Sequence, residues 1–146
     1  MIVFDQLAET QDGTNAMLAR DLSAEFRCPA IAVTIHDDDV LYFDVYEMGR
    51  QVDHYNSAPG YFTWDGDGDP PAPEGGRTLE LARLFGADDP EQVEEVLRNH
   101  YDFEHDRHLA LLSCLHLSPL AHGAGYDYLN AGEYPPGTSA STFSAV

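Results

Sequence analysis

From Pro29 to Ser57 the chain alternates between apolar and polar positions with a period of two. Ile31, Val33 and Ile35 are interleaved with Ala32, Thr34 and His36; after Asp37, Asp38 and Asp39, the residues Leu41, Phe43 and Val45 are interleaved with Val40, Tyr42, Asp44 and Tyr46. Successive side chains of an extended chain point to opposite faces, so each set lines one face of a sheet. The pattern predicts a hairpin with its Ile/Val/Leu/Phe face on a core, its Tyr/Asp/His face in contact with water, and the three Asp residues as its turn. Glu47 to Arg50 predicts a second tight turn, in which Gly49 supplies the positive φ that bulkier residues resist. Gln51 to Asn56 then completes a three-stranded meander.

Elsewhere the period is helical. Asp12 to Asn15 reads as a turn into an N-cap, and Leu18, Leu22 and Phe26 recur along a first helix from about Ala16 to Arg27, ended by Pro29. Ile2 to Phe4 fits either an edge strand or an anchored arm. Residues 65–76, almost wholly Asp, Gly, Pro and Glu, lack the apolar surface to order themselves and predict a loop between a sheet half and a helical half. Thr78 opens a helix carrying Leu81, Leu84 and Phe85, with Gly86 as its stop. Asp89, Pro90 and Gln92 mark the start of a second, carrying Val93, Val96 and Leu97 to about His100. The stripe drifts at Tyr101 to Phe103, so the residues from Glu104 through Leu109, Leu112 and Leu115 form either a third helix or the far half of a kinked one. Gly125 to Asn130 alternates Tyr126 and Tyr128 with Asp127 and Leu129, which predicts a further strand. The expected fold is α+β: an antiparallel β-meander of three to five strands with an N-terminal helix and two or three helices packed on one face. Residues 1–134 are expected to form a single domain, and the Pro-, Gly- and Ser-rich 135–146 a flexible C-terminal tail.

Charge narrows the range of partners. Against 26 Asp and Glu the chain carries seven basic residues, all Arg, for a formal net charge of −19. Nucleic acids and anionic membranes need clustered cations, so direct nucleic-acid binding is not expected and a basic protein surface is the complementary partner. Solubility, a salt-rich environment or a GC-rich source would produce the same excess of acid. Met1 to Leu7 lacks the basic and apolar regions of a secretory signal, and no run approaches the ~20 apolar residues of a membrane span. Cys28 and Cys114 show no paired spacing, which suits reduced thiols in a cytoplasmic protein.

Candidate chemistry is sparse. Asp65, Asp67 and Asp69 begin like a calcium loop, but Pro70 stands where the sharp turn needs Gly and Gly76 where a bidentate Glu closes the site. His100, Glu104 and His108 would share a face of one continuous helix, with His105 beside them, and so offer ligands to a divalent metal; a helix break at Tyr101 to Phe103 would scatter them. Ser57 and Ser113 lack a nucleophile-elbow context, neither Cys has a His at useful spacing, and the glycines form no phosphate-cradling loop. The aromatic residues suit recognition better. Tyr61, Phe62 and Trp64 precede Asp65 and Asp67, and the wet sheet face offers Tyr42, Asp44 and Tyr46, so aromatic anchors lie within an acidic rim. The expected function is therefore a non-enzymatic interaction module, an inhibitor or immunity-type protein that binds a basic partner protein. A divalent-metal-binding protein or metal-dependent hydrolase built on the His100 to His108 cluster is the alternative, and mimicry of nucleic-acid phosphates a third.

Overall fold

The computed structural model describes residues 1–7, 13–122 and 125–143. Helix α1 (Thr14–Phe26) is entered through Gly13 and ends at Arg27, both in the left-handed region. Four strands follow, β1 (Ala30–His36), β2 (Val40–Glu47), β3 (Arg50–Asn56) and the two-residue β4 (Glu74–Gly75), paired antiparallel in the order β1-β2-β3-β4. The helical half comprises α2 (Thr78–Phe85), α3 (Pro90–Arg98), α4 (Glu104–Cys114) and the short α5 (Tyr126–Asn130), with 3-10 turns at Pro119–Ala121 and Ala140–Thr142. This is the α+β meander that the hydrophobic pattern predicts. Among the described residues no helix is long and apolar enough to cross a membrane.

The core lies on the face that the alternation assigned to it. Leu41, Phe43 and Val45 of β2 and Tyr55 of β3 are buried against Leu81 of α2, Val93, Val96 and Leu97 of α3, and Leu111 and Leu115 of α4; Ile31, Val33 and Ile35 of β1 close its margin. Phe43 and Tyr55, cross-strand partners, stack with ring centroids 5.0 Å apart. Helix α2 begins at Thr78 without a side-chain cap, its N-cap residue being Arg77, whereas the start of α3 and the end of α2 lie where Asp89 and Gly86 place them. Asp89 accepts hydrogen bonds from the amides of Glu91 (2.9 Å) and Gln92 (3.4 Å), and Gly86 ends α2 at φ 79. Helix α3 stops at Arg98, and α4 is a separate helix restarting at Glu104.

The opposite face is not uniformly wet. Helix α1 lies across it and buries Ala19 against Ala32 and Tyr46. It approaches through small residues, not through the predicted Leu18, Leu22 and Phe26 stripe; Phe26 is 58% exposed. Close approach explains the choice. The Ser23 hydroxyl accepts the Gly49 amide at 2.9 Å, and a Cβ on Gly49, held at φ 76 in the β2–β3 turn, would sit 3.0 Å from the Ala24 methyl. Asn15 anchors the other end of α1 by donating to the Thr34 hydroxyl (2.7 Å). Tyr46, expected on the wet face, is therefore covered.

The Gly125 to Asn130 strand is also corrected. The segment is helical, its amides closing local bonds such as Leu129 to the Gly125 carbonyl, because five alternating residues without a strand partner satisfy their backbone more easily within one turn. The fourth strand instead comes from the acidic loop, at Glu74–Gly75 beside Tyr55 and Asn56. Gly75 lies so close to β3 that a Cβ there would run into the His54 carbonyl. At the far end of the chain Phe143 stacks on Tyr134 and meets Phe4 edge-on.

Candidate interaction surface

The surface is built from the β1–β2 tip outward. Asp37 and Asp38 sit at φ 51 and 63, and the Asp39 amide donates to the His36 carbonyl at 3.0 Å, the left-handed pair that a tight hairpin turn requires and that Asp tolerates. The three carboxylates then diverge in use. Asp38 caps α4, whose own N-cap residue Phe103 has no side-chain acceptor: its carbonyl accepts the Glu104 amide (3.0 Å), and its Oδ1 accepts the His105 amide (2.8 Å) and lies 2.7 Å from His105 Nδ1. Burial pushes the Asp38 carboxyl up, but the His105 amide, the His105 ring and the Glu104 amide outweigh it and hold the group below the usual carboxylate range. Turn chemistry alone thus understates the tip. Asp38→Gly, which keeps the left-handed backbone and its carbonyl bond to Glu104 and deletes the carboxylate bonds to His105, is expected to lower stability by about 0.5–2 kcal/mol in urea denaturation, whereas Asp38→Asn keeps most of it.

Asp39 serves the aromatic residues. After β3 the chain turns twice, through Tyr61 N–H to the Ala58 carbonyl and Trp64 N–H to the Gly60 carbonyl, and this brings Tyr61 and Phe62 back beside His36. The three rings meet edge-on, with centroids 4.8 Å apart for Tyr61 and Phe62, 5.2 Å for His36 and Phe62, and 5.9 Å for His36 and Tyr61. The Tyr61 hydroxyl donates to Asp39 Oδ2 at 2.9 Å, the main reason its phenol is held protonated above the usual range. Despite this anchoring Tyr61 is 40% and Phe62 67% exposed, and the Asp37 carboxylate stands 3.3 Å from His36 Nε2.

The other predicted contact residues are only partly gathered there. Tyr42 lies half-buried on the same sheet face as His36, two positions along in register, and burial raises its phenol. Asp44, also half-buried, accepts from Gln51 Nε2 at 2.6 Å; burial pushes its carboxyl up against the opposing pull of His54 and Gln51. Trp64 turns into the acidic loop, where its Nε1 donates to the Asp67 carbonyl (3.2 Å) and Asp65 Oδ1 accepts the Asp67 amide (3.1 Å). Tyr46 lies apart, under α1. His36 was missed as a member of the group, although its parity with Tyr42 places it on their face.

The residues proposed as metal ligands take separate partners. His100 sits in the turn between α3 and α4, its side chain 90% exposed and 3.4 Å from Asp102. Glu104 is buried and bonded to Arg107 Nε at 2.8 Å, and His105 is held by Asp38. His108 is buried, and its ring and that of His105 lie 5.8 and 5.4 Å from His122. The turn at 99–103 breaks the four-residue spacing on which convergence depended. Among the described residues no group of three or more His, Cys, Asp or Glu has the geometry to hold a metal ion. An open depression of about 340 Å³ between β4, α2 and α3 is lined in part by Arg77 and Arg98 and contains neither the aromatic group nor the histidines. Comparison of the chain with protein-family models, with curated proteins and with solved structures returned no significant match.

Proposed function

We propose that this chain is a non-catalytic, acidic interaction module that binds a basic partner protein through the hairpin-tip surface, in the manner of an inhibitor or immunity protein. The observation that carries the reading is the exposed Tyr61–Phe62 pair, fixed in place by His36 and Asp39 and rimmed by Asp37 and Asp39, on a chain of net charge −19. Aromatic side chains that are already ordered lose little rotamer freedom on binding and are the usual energetic anchors of an interface. The carboxylates around them add attraction and orientation toward a cationic surface, and repel nucleic acid. Tyr42 and Asp44 extend the surface along the sheet, and Trp64 with Asp65 and Asp67 along the loop. The unpaired Cys28 and Cys114 suit a reducing compartment, so the cytoplasm is the proposed location.

The test is affinity capture with immobilised protein at low and high salt, alongside a Tyr61→Ser/Phe62→Ser double variant whose folding is checked by circular dichroism. The expected result is a basic partner retained at low salt, released at high salt, and held at least about tenfold more weakly by the double variant, the effect of losing central aromatic anchors. Failure to retain a partner, or retention indifferent to both salt and the substitutions, overturns the reading.

A further inference from the structure

Three histidines from different parts of the chain meet behind the hairpin tip. His105 and His108 lie on α4, and His122 follows the 3-10 turn Pro119–Ala121; the His122 ring is 5.4 Å from that of His105 and 5.8 Å from that of His108. His108 is 6% exposed, and both its Nε2 and the Nδ1 of His122 are buried without a hydrogen-bond partner. Buried polar nitrogens are normally satisfied, so two orphans on neighbouring rings mark a place with no partner for the added N–H of a protonated His108.

The charges around His108 sharpen this. From the segment after α4 it is faced by His122, and along its own helix by His105. The hairpin tip contributes Asp38, whose carboxylate is already engaged by the His105 amide and ring. Glu104 and Arg107, on the same helix, neutralise each other, and the end of α3 presents the Val96 and Leu97 carbonyls to Arg107. Among the described residues no carboxylate is bonded to His108 to balance an added proton. Burial, and then the neighbouring His122 and His105, push its pKa down to about 4.

What the junction holds is a weakly attached segment. Leu117 is tied to α4 through its amide and the Leu112 carbonyl (2.8 Å), but among the described residues the hydrogen bonds of residues 118–122 run within the segment: Leu120 amide to the Ser118 hydroxyl, Ala121 amide to the Ser118 carbonyl, and His122 amide to the Pro119 carbonyl. None of the three residues of the 3-10 turn is buried. Such a segment opens at low cost compared with the core.

We propose that the His105–His108–His122 junction is an acid-sensitive latch, which holds residues 118–122 against α4 while His108 is neutral and releases them, with sheet and core intact, when His108 takes up a proton. The linkage has one sign. Release takes away the His122 ring and the part of the burial that the segment supplies, so His108 binds a proton more readily in the open form than at its closed value of about 4, and the open population grows as pH falls below the ordinary histidine value near 6.5 and stops growing below about 4. Between about pH 7 and about pH 5 the increase is at most about twentyfold, the figure for a His108 fully returned to its ordinary value in the open form.

Hydrogen exchange on the full chain, corrected for the intrinsic pH dependence of amide exchange, reads this directly. The expected result is a severalfold rise, of at most about twentyfold, in the opening of the Leu120, Ala121 and His122 amides between about pH 7 and about pH 5, as the short turn frays once it leaves α4, with the β2 amides still protected, and loss of most of that rise in His108→Leu. His122→Leu, which removes an unpartnered buried nitrogen and one of the two imidazoles that disfavour a charged His108, supplies a second reading should His108→Leu fold poorly, and is expected to keep the segment closed at about pH 7 and to shrink the rise toward about pH 5. No pH dependence of these amides, a rise that persists in His108→Leu, or β2 amides that open in parallel would each overturn the latch.

Discussion

Arg107→Ala is expected to lower the free energy of unfolding by about 3–5 kcal/mol, the range for breaking a buried ion pair from one side. The guanidinium and the Glu104 carboxylate have side chains only 4% and 7% exposed and are joined at 2.8 Å. Arg107 also donates to the Val96 (2.8 Å) and Leu97 (3.0 Å) carbonyls at the end of α3 and lies over the Tyr101 ring, 4.6 Å from its centroid. It thereby serves three needs at once: it neutralises Glu104, satisfies carbonyls that the α3 terminus leaves without intrahelical partners, and places a cation at the negative end of the helix. Alanine leaves a carboxylate buried without its cation and two carbonyls less well satisfied. Glu104→Gln/Arg107→Met removes both charges and is expected to recover part of the loss, because desolvation of the pair is then no longer required. Urea denaturation at unchanged m-value measures both variants. A loss below about 1 kcal/mol for Arg107→Ala, the range of exposed ion pairs, would show that the pair is not isolated from water.

Phe43→Ala is expected to cost about 3–5 kcal/mol by the same measurement. Phe43 is 2% exposed, lies on an interior strand between Val33 and Tyr55 in register, and stacks on Tyr55 at an interplanar angle of 20°. Truncation removes the ring's transfer free energy and leaves a void that must be lined by side chains from β3 and the packed helices, which are themselves fixed. Tyr55 is the least able to move in. Its hydroxyl donates to the Leu97 carbonyl at 2.6 Å, and burial pushes its phenol up to about 12, so shifting the ring would break a buried hydrogen bond. A loss below about 1 kcal/mol would mean that this face of β2 is not the floor of the core. Against a total stability of roughly 5–15 kcal/mol for a small domain, either substitution removes a large fraction of the margin.

The two substitutions divide what can be read locally from what cannot. Phe43 is legible from alternation alone: a period-two run fixes the face of every side chain in it, and Asp89-Pro90 or Gly86 mark helix ends through contacts spanning a few residues. The sequence by itself determined the meander, the core face of the hairpin, α2 to α4 in outline and the acidity of the surface. It also placed Tyr61 and Phe62 among the candidates, because large aromatics beside an acidic loop stand out in composition.

Only the tertiary structure decided the remainder, because each of those features depends on residues far apart in the chain. Asp38 reads as a turn residue until α4, 67 positions further on, arrives with an uncapped amide. His36 joins the aromatic group only after the chain doubles back following β3. Tyr46 has the same local pattern as Tyr42, and is withdrawn from the surface because α1 settles on small residues instead of its Leu stripe. Glu104, His105 and His108 share a short stretch of sequence, yet a turn at 99–103 and three separate partners send them to a buried ion pair, a helix cap and a histidine junction. Local propensity sets the direction in which a side chain points; the neighbours it finds there, and hence its charge state and its chemistry, are set by which distant segment packs against it.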